Sequence, residues 1–204
     1  MRVFTQRKAA LVLMFLALSS SPGCNKSRVP PPAMLWAIPS WSLTDQEGHS
    51  YGTQQLQGTV YVANFIFTRC PTSCPRLTTK MAALEARLRL RGDRVRFVSM
   101  SVDPEWDTPE RLRVYGARYH ADFRRWHFVT GPYDSVLRAI DSGFRVSSGM
   151  SPIPPGATFD PISLAHSNHF VVIDGRGFMR GAFSVEDDSG VERVAQVVET
   201  LTEP

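Results

Sequence analysis

The stretch Val60-Tyr61-Val62-Ala63-Asn64-Phe65-Ile66-Phe67-Thr68-Arg69-Cys70-Pro71-Thr72-Ser73-Cys74-Pro75 changes character midway. Val60 to Phe67 is a continuous apolar run, the pattern of a strand buried on both faces. From Pro75 to Leu90 the apolar residues Leu77, Met81, Leu84 and Leu88 recur at helical spacing, and Pro75 suits a first-turn position. Cys70 and Cys74 therefore fall at a strand-to-helix junction. The positive end of a helix macrodipole favours thiolate over thiol there. Disulfide exchange and soft-metal binding both use thiolates. The two sulfurs are close enough in sequence to bridge each other or to grip one metal ion.

The pattern continues outward from this junction. Val95 to Val102 is a second buried strand. Thr108 and Pro109 open a helix as N-cap and first residue, running to about Tyr119. Trp126 to Thr130 is a short strand and Tyr133 to Ser142 a helix. Arg145 to Ala165 is rich in Pro, Gly and Ser without a period, and a loop of that size inside a domain is usually functional. Phe170–Asp174 and Phe178–Phe183 flank the turn Gly175-Arg176-Gly177 as an antiparallel pair, and Gly190 to Leu201 closes the chain as a helix. Upstream, Trp41–Thr44 and His49–Gly52 flank the turn Asp45-Gln46-Glu47-Gly48 and predict a hairpin. The order β-α-β-α-β-α-β-β-α, with cysteines after the first buried strand, predicts an α/β, thioredoxin-like fold with an N-terminal β-hairpin and a long loop before the penultimate strands.

Length and composition set the frame. The 204 residues, 43% of them hydrophobic, suit one domain plus an export segment. Arg2, Arg7 and Lys8 precede an apolar run from Ala9 to Leu18, short for a membrane span, so residues 1–23 read as a signal peptide. Ser19-Ser20-Ser21-Pro22-Gly23-Cys24 resembles a bacterial lipoprotein cleavage site, although Leu is usual where Ser21 stands. Cys24 is thus a candidate for lipidation; plain signal cleavage and an uncleaved anchor are the alternatives. Residues 24–39, with Pro30-Pro31-Pro32, read as a flexible tether, and 40–204 as the folded domain. The formal charge of +4 includes Arg2, Arg7 and Lys8 and leaves the rest near +1, which gives no reason to invoke nucleic acid. With Cys24 as an anchor, the domain holds only Cys70 and Cys74. A bridge closing so few residues would constrain the unfolded chain weakly, so the pair points to function.

A third metal ligand would come from five histidines. His49, His120 and His127 read as surface or polar edge residues. His166 and His169 stand at the seam between the long loop and the next strand. Residues three apart on an extended chain point opposite ways, so one of the two faces the sulfurs, and spacing alone does not choose between them. Asp103 ends the second buried strand, where crevices form in open α/β sheets; turning the chain before Pro104 explains it equally well. Trp106, Trp126 and Phe144 read as core or rim aromatics. The cysteine spacing differs from the two-residue spacing of thioredoxins. Phe67 stands where the peroxiredoxin motif has Thr, which disfavours peroxidase chemistry.

These blocks together resemble the Sco/SenC family: Asp45-Gln46-Glu47-Gly48; Asn64 to Pro75; Ser101-Val102-Asp103-Pro104-Glu105-Trp106-Asp107-Thr108-Pro109-Glu110; Trp126 to Gly131; and His166-Ser167 ahead of Val172-Ile173-Asp174. The resemblance covers about Trp41 to Leu201. It implies an exported, membrane-anchored protein on the periplasmic or extracytoplasmic side that binds copper, Cu(I) or Cu(II). It further implies help in maturing the CuA centre of cytochrome c oxidase subunit II. It places the family's ligands on Cys70, Cys74 and His166, with Asp103 as the acidic residue near the site. Ala165 departs from the Asp many members carry before the ligand histidine, and His169 remains an alternative ligand.

Apart from the resemblance, two thiolates and an imidazole make a soft three-coordinate set suited to copper, with one position open for exchange. The same redox-active pair can instead exchange electrons with a partner disulfide and be recharged by a thioredoxin-like reductant. The expected role is mainly that of a metallochaperone with thiol–disulfide reductase activity as a second use. The alternatives are a periplasmic thiol–disulfide oxidoreductase and a copper or redox sensor.

Overall fold

The structure, a computed structural model, describes residues 32–144 and 168–203. Seven strands form one sheet: β1 (Ser42–Asp45), β2 (Ser50–Gly52), β3 (Val60–Ile66), β4 (Val95–Ser101), β5 (Trp126–Thr130), β6 (His169–Ile173) and β7 (Met179–Ser184). Their order is β2-β1-β5-β4-β3-β6-β7. The central β3, β4 and β5 are parallel, while β1 and β6 join that trio antiparallel and β2 and β7 close the edges. Every residue of β3 is buried, as its unbroken apolar run requires. Helices α1 (Ser73–Arg87), α2 (Pro109–Arg118), α3 (Tyr133–Arg138) and α4 (Asp188–Leu201) complete the thioredoxin-like arrangement with its extra N-terminal hairpin.

The helices start and stop for identifiable reasons. Thr108 caps α2, its hydroxyl accepting from the Arg111 N–H at 3.3 Å, with Pro109 at the first position. Asp187 caps α4 in the same way through the Gly190 N–H at 3.0 Å. Helix α1 begins two residues before the expected Pro75. A proline is tolerated there because N–H groups of the first turn have no intrahelical acceptor. Its last turn tightens into a 3₁₀ stretch, Leu88–Arg94, broken at Gly92, whose φ of 55° suits glycine. The expected helix Tyr133–Ser142 ends at Arg138 and widens into a π-type turn, Ala139–Phe144.

The core runs through the sheet. Met81 and Leu84 of α1 are fully buried, each such side chain stabilising the fold by about 1.5–3 kcal/mol. Trp126, fully buried, donates from Nε1 to Ser99 at 2.9 Å, and Ser99 donates to Asn64 at 2.7 Å. This chain of bonds crosses β5, β4 and β3. Helix α2 lies so close to β5 that a methyl on Gly116 would meet the Phe128 ring at 2.6 Å.

The described part of the expected tether packs against the domain. The Leu35 N–H donates to Met179 at 2.9 Å and the Ile38 N–H to Gly177 at 2.8 Å. Trp36 Nε1 donates to Gly143 at 2.8 Å, and Arg180 Nε donates to the Pro32 carbonyl at 2.9 Å. Residues Pro32 to Ile38, which the sequence places in the tether, thus bond to the domain. Proline-rich composition gives no warning of this, because the bonds use backbone carbonyls that any sequence carries.

Candidate functional site

Strand β3 ends at Ile66, and a short loop carries the chain into α1. Thr72, at the N-cap, makes no side-chain capping bond. The Cys70 sulfur substitutes for it, accepting from the Cys74 N–H at 3.4 Å. The Ser73 hydroxyl lies 3.3 Å from the same sulfur. Cys74 sits inside the first helical turn, fully buried, while Cys70 is 4% exposed; both thiols are free. The two cysteines meet at a helix N-terminus, as the sequence pattern implies, and Cys74 is the deeper of the two.

The two sulfurs differ in acidity. Burial opposes ionisation of Cys70. Hydrogen bonds from the Ser73 hydroxyl, the N–H groups of Cys74 and Thr72, and the Cys74 thiol together bring its pKa down to about 6. Burial pushes Cys74 up to about 12, and the neighbouring Cys70 sulfur adds to the rise. One sulfur is a thiolate at neutral pH and the other holds its proton. Below Cys74, its carbonyl accepts from Thr78 Oγ1 at 2.8 Å, and Thr78 shares a buried hydrogen bond of 2.8 Å with Tyr115.

Asp103 stands just past the end of β4. Its carboxylate accepts two bonds from Arg69, 2.6 Å from Nε and 3.2 Å from Nη2. Its carbonyl accepts the N–H groups of Trp106 and Asp107, at 3.0 and 2.9 Å, so it also turns the chain. Asp103 thus reaches the cysteines' loop through Arg69, the residue before Cys70. Trp106, 42% exposed, lies on the rim with the Arg111 guanidinium 4.0 Å from its ring centre.

Sequence reasoning passed over Asp107. Fully buried, it accepts from the Ser101 hydroxyl at 2.6 Å, the Thr68 hydroxyl at 2.5 Å and the Thr68 N–H at 3.1 Å. It ties the loop carrying the cysteines to the loop after β4. The available signal was an Asp before the N-cap Thr108 with hydroxyl residues at both strand ends, a pattern shared with many turns.

Of the other expected site residues, His166 and Cys24 lie outside the described residues. His169 opens β6, half-buried, with its Nδ1 buried and unpartnered among the described residues. Asn168 has φ of 51°, so the chain turns immediately before His169 and strand alternation does not carry back past that residue. His49 is exposed, as expected. His127 is a sheet residue instead of a free polar edge: it stacks on Tyr51 at 3.8 Å and faces Asp45 at 3.5 Å, and burial lowers its pKa. Among the described residues no three His, Cys, Asp or Glu side chains form a metal-binding group, and no helix is long and apolar enough to cross a membrane. The donor set present is two adjacent sulfurs, one already ionised, which fits a soft monovalent metal.

A family model described as SCO1/SenC matches residues 35–203. The SCO1 protein homolog of Bacillus subtilis is 34% identical over 137 residues, 67% of this chain and 68% of that one. A SCO1/SenC family lipoprotein from Bacillus anthracis has a similar structure, with a TM-score of 0.69 and 29% identity over 82% of this chain and 96% of that one. BsSco, in which a disulfide switch was identified and which is described as a member of the Sco family of cytochrome c oxidase assembly proteins, gives a TM-score of 0.69 at 25% identity, covering 85% and 97%. Yeast Sco1 with copper bound gives 0.64 at 21% identity, covering 82% and 95%, a likeness of fold.

Proposed function

The chain belongs to the SCO1/SenC family, and on that premise we propose that it binds copper as cargo and delivers it during cytochrome c oxidase assembly, at the CuA centre of subunit II. The carrying observation is the free Cys70–Cys74 pair at the start of α1, with the Cys74 N–H on the Cys70 sulfur. Cys70 and Cys74 would supply two thiolates and His166 an imidazole. When bound, copper would lower the second thiol's pKa by coordination, since a metal-bound thiol is deprotonated. The protein's own contribution is to place both sulfurs in one buried turn and to hold Arg69 and Asp103 beside it. Export and a lipid on Cys24 would hold the site at the membrane where the oxidase assembles; the lipoprotein relative from Bacillus anthracis supports that part.

A second reading has its own observation. A thiolate at pKa about 6 beside a thiol near 12 is the division of labour of a dithiol reductant. Cys70 would attack a partner disulfide, forming a mixed disulfide and releasing one partner thiolate. Cys74, losing its proton, would then displace the second. Two electrons pass to the partner, and a Cys70–Cys74 disulfide remains for a thioredoxin-like reductant to reduce.

The test measures Cu(I) affinity of the reduced full-length protein by chelator competition, alongside reduction of a model disulfide. Cys70→Ser and Cys74→Ser should each weaken copper binding by at least on the order of a hundredfold, since even a residue that only supports a metal ligand is worth about 10–100-fold. His166→Ala should lose copper affinity and fail to support oxidase assembly while still reducing the disulfide. His169→Ala should behave nearly normally. Assembly intact in His166→Ala would favour the reductant reading, and failure of His169→Ala alone would move the ligand. In the metal-free protein, alkylation of Cys70 should show a midpoint near pH 6.

A further inference from the structure

The sheet registers define two poles. Strands β3 and β4 start side by side, Val60 opposite Val95, and both end at the cysteine loop and Asp103. Strand β6 runs the other way and finishes with Ile173 opposite Tyr61. The far pole therefore gathers the starts of β3, β4 and β5, the Leu88–Arg94 stretch after α1, the Gly175–Gly177 turn and the docked segment at Pro32–Ile38. The chain thus joins the domain at the pole opposite the cysteines.

That pole carries an unusual surface. Leu90 is 96% exposed, with nothing of the domain over it. Met34 and Leu35, 49% and 48% exposed, stand at the same end. Leu90 is flanked by Arg89 and Arg91 in Arg87-Leu88-Arg89-Leu90-Arg91-Gly92-Asp93-Arg94-Val95-Arg96, five arginines against one aspartate. Most acids nearby already hold other arginines, while buried Glu85 lies within the electrostatic reach of Arg125 and Arg89. Asp93 pairs with Arg96 at 3.2 Å, Asp122 with Arg124 at 2.8 Å, and Glu192 and Glu199 with Arg87. Arg89 and Arg91 make no ion pair among the described residues, and Arg176, 67% exposed, stands beside Met34 with its guanidinium 3.6 Å from Asp174.

We propose that this pole lies on the anionic headgroups of the membrane, with Leu90, Met34 and Leu35 inserted at the interface and Arg89, Arg91 and Arg176 on the phosphates. Protruding apolar side chains beside arginines, two of which make no ion pair among the described residues, are the composition of a surface that rests on an anionic lipid interface. Connectivity argues independently for the same occupant. Pro32, held by Arg180, stands at this end of the sheet, so an anchor upstream of it would be tethered nearest this face. The cysteine pole then points away, open to a partner. The inference does not depend on which reaction the cysteines perform.

Hydrogen exchange of the full-length protein bound to vesicles tests this. Zwitterionic phosphatidylcholine vesicles are compared with vesicles containing phosphatidylglycerol, with sedimentation checking attachment in both. Exchange at residues 88–94 should slow on the order of tenfold on the anionic vesicles, since each arginine near such a surface gains a factor of about five. Half-molar salt should reverse it, because screening is short-ranged there. The double variant Arg89→Glu with Arg91→Glu should abolish the slowing, and Leu90→Asp should weaken it. Equal exchange on both vesicle types overturns the proposal, as does protection that survives the double variant. Protection appearing instead at residues 66–76 would show that the opposite pole lies down. Loss of sedimentation on zwitterionic vesicles with protection retained on anionic ones would refute the anchor and leave this face standing.

Discussion

At each end of the sheet an aspartate meets an arginine, and the two pairs are built differently. Asp174 and Arg180, at the far pole, are each 7% exposed and 2.9 Å apart. Asp174 also accepts the N–H groups of Arg176 and Phe178, both at 3.0 Å, and Arg180 also holds the Pro32 carbonyl. Asp103 and Arg69, beside the cysteines, are 16% and 59% exposed. The first pair is a closed joint that fixes where the chain enters the domain. The second borders the cysteine loop, where the proposed function needs access for a metal ion or a partner disulfide, and water reaches its arginine. Sealed pairs are costly to break, whereas exposed ones contribute little.

Arg180→Met should cause the largest loss. It leaves the Asp174 carboxylate buried without its cation and the Pro32 carbonyl without a donor. Breaking a buried pair from one side costs about 3–5 kcal/mol. The Arg176 guanidinium, 3.6 Å from the same carboxylate, should keep the loss near the lower figure. The sign with pH follows from the carboxyl. Burial opposes its charge, but the Phe178 N–H, the Arg180 guanidinium and the Arg176 N–H hold it below the usual carboxylate range. Its stabilisation is therefore present above the unfolded value of about 3.9 and lost as pH falls below it. Urea unfolding at pH 7 and pH 3 should show the wild type losing part of this increment, at most about 1.2 kcal/mol by pH 3, and Arg180→Met losing less. A loss at pH 7 under 1 kcal/mol would erase the contrast between the two ends.

The sequence made the cysteine end more legible than the far one. A short apolar run rich in Val, Ile and aromatics reads as a buried strand, and a cysteine pair before a periodic helix marks its junction, so β3, α1 and the meeting of Cys70 with Cys74 are readable. The start of α1 was misread by two residues because Pro75 suits any of the first-turn positions, and the Cys70 sulfur, not a hydroxyl side chain, caps the helix. His127 was read as an edge residue because its partners, Tyr51 and Asp45, come from the distant hairpin. The docking of Pro32 to Ile38 was invisible for a related reason: it depends on the Gly175–Gly177 turn and on Arg180, more than 130 residues along the chain. Lone exposure, as at Leu90, cannot be read from a periodic pattern at all, since that leucine continues an apolar helix into a turn that faces outward.

Asp107 places a buried carboxylate at the cysteine end and sharpens the comparison. Burial holds its carboxyl above the ordinary value, against the hydrogen bonds of Ser101 and Thr68. The sign is opposite to that of Asp174: the native state keeps this proton to higher pH than the unfolded chain, so stability falls as pH rises from about 4. Asp107→Ala strands the Thr68 N–H and two hydroxyls, and should cost about 2–3 kcal/mol, less than Arg180→Met because no buried charge is left behind. Asp107→Asn should lose the pH slope above about 4 while keeping most of the stability. A slope unchanged in Asp107→Asn would assign it to other groups.

Asp103→Asn should have the smallest effect on stability. The Arg69 side chain is more than half exposed, so solvent and salt screen the pair, and such pairs are worth about 0–1 kcal/mol. The backbone bonds that turn the chain at Asp103 survive the substitution, because they use its carbonyl. What changes is the restraint on Arg69. Released from Asp103, its guanidinium keeps the Trp106 ring, 5.4 Å away, as its partner among the described residues. The variant should therefore unfold within about 1 kcal/mol of the wild type, yet bind copper with altered affinity if Arg69 and Asp103 shape the site. Measuring urea stability and Cu(I) competition on the same preparation separates the two roles. A stability loss as large as that of Arg180→Met would show that the cysteine end is as rigidly joined as the far pole. Unchanged stability and unchanged copper affinity together would leave Asp103 as a turn residue and no more.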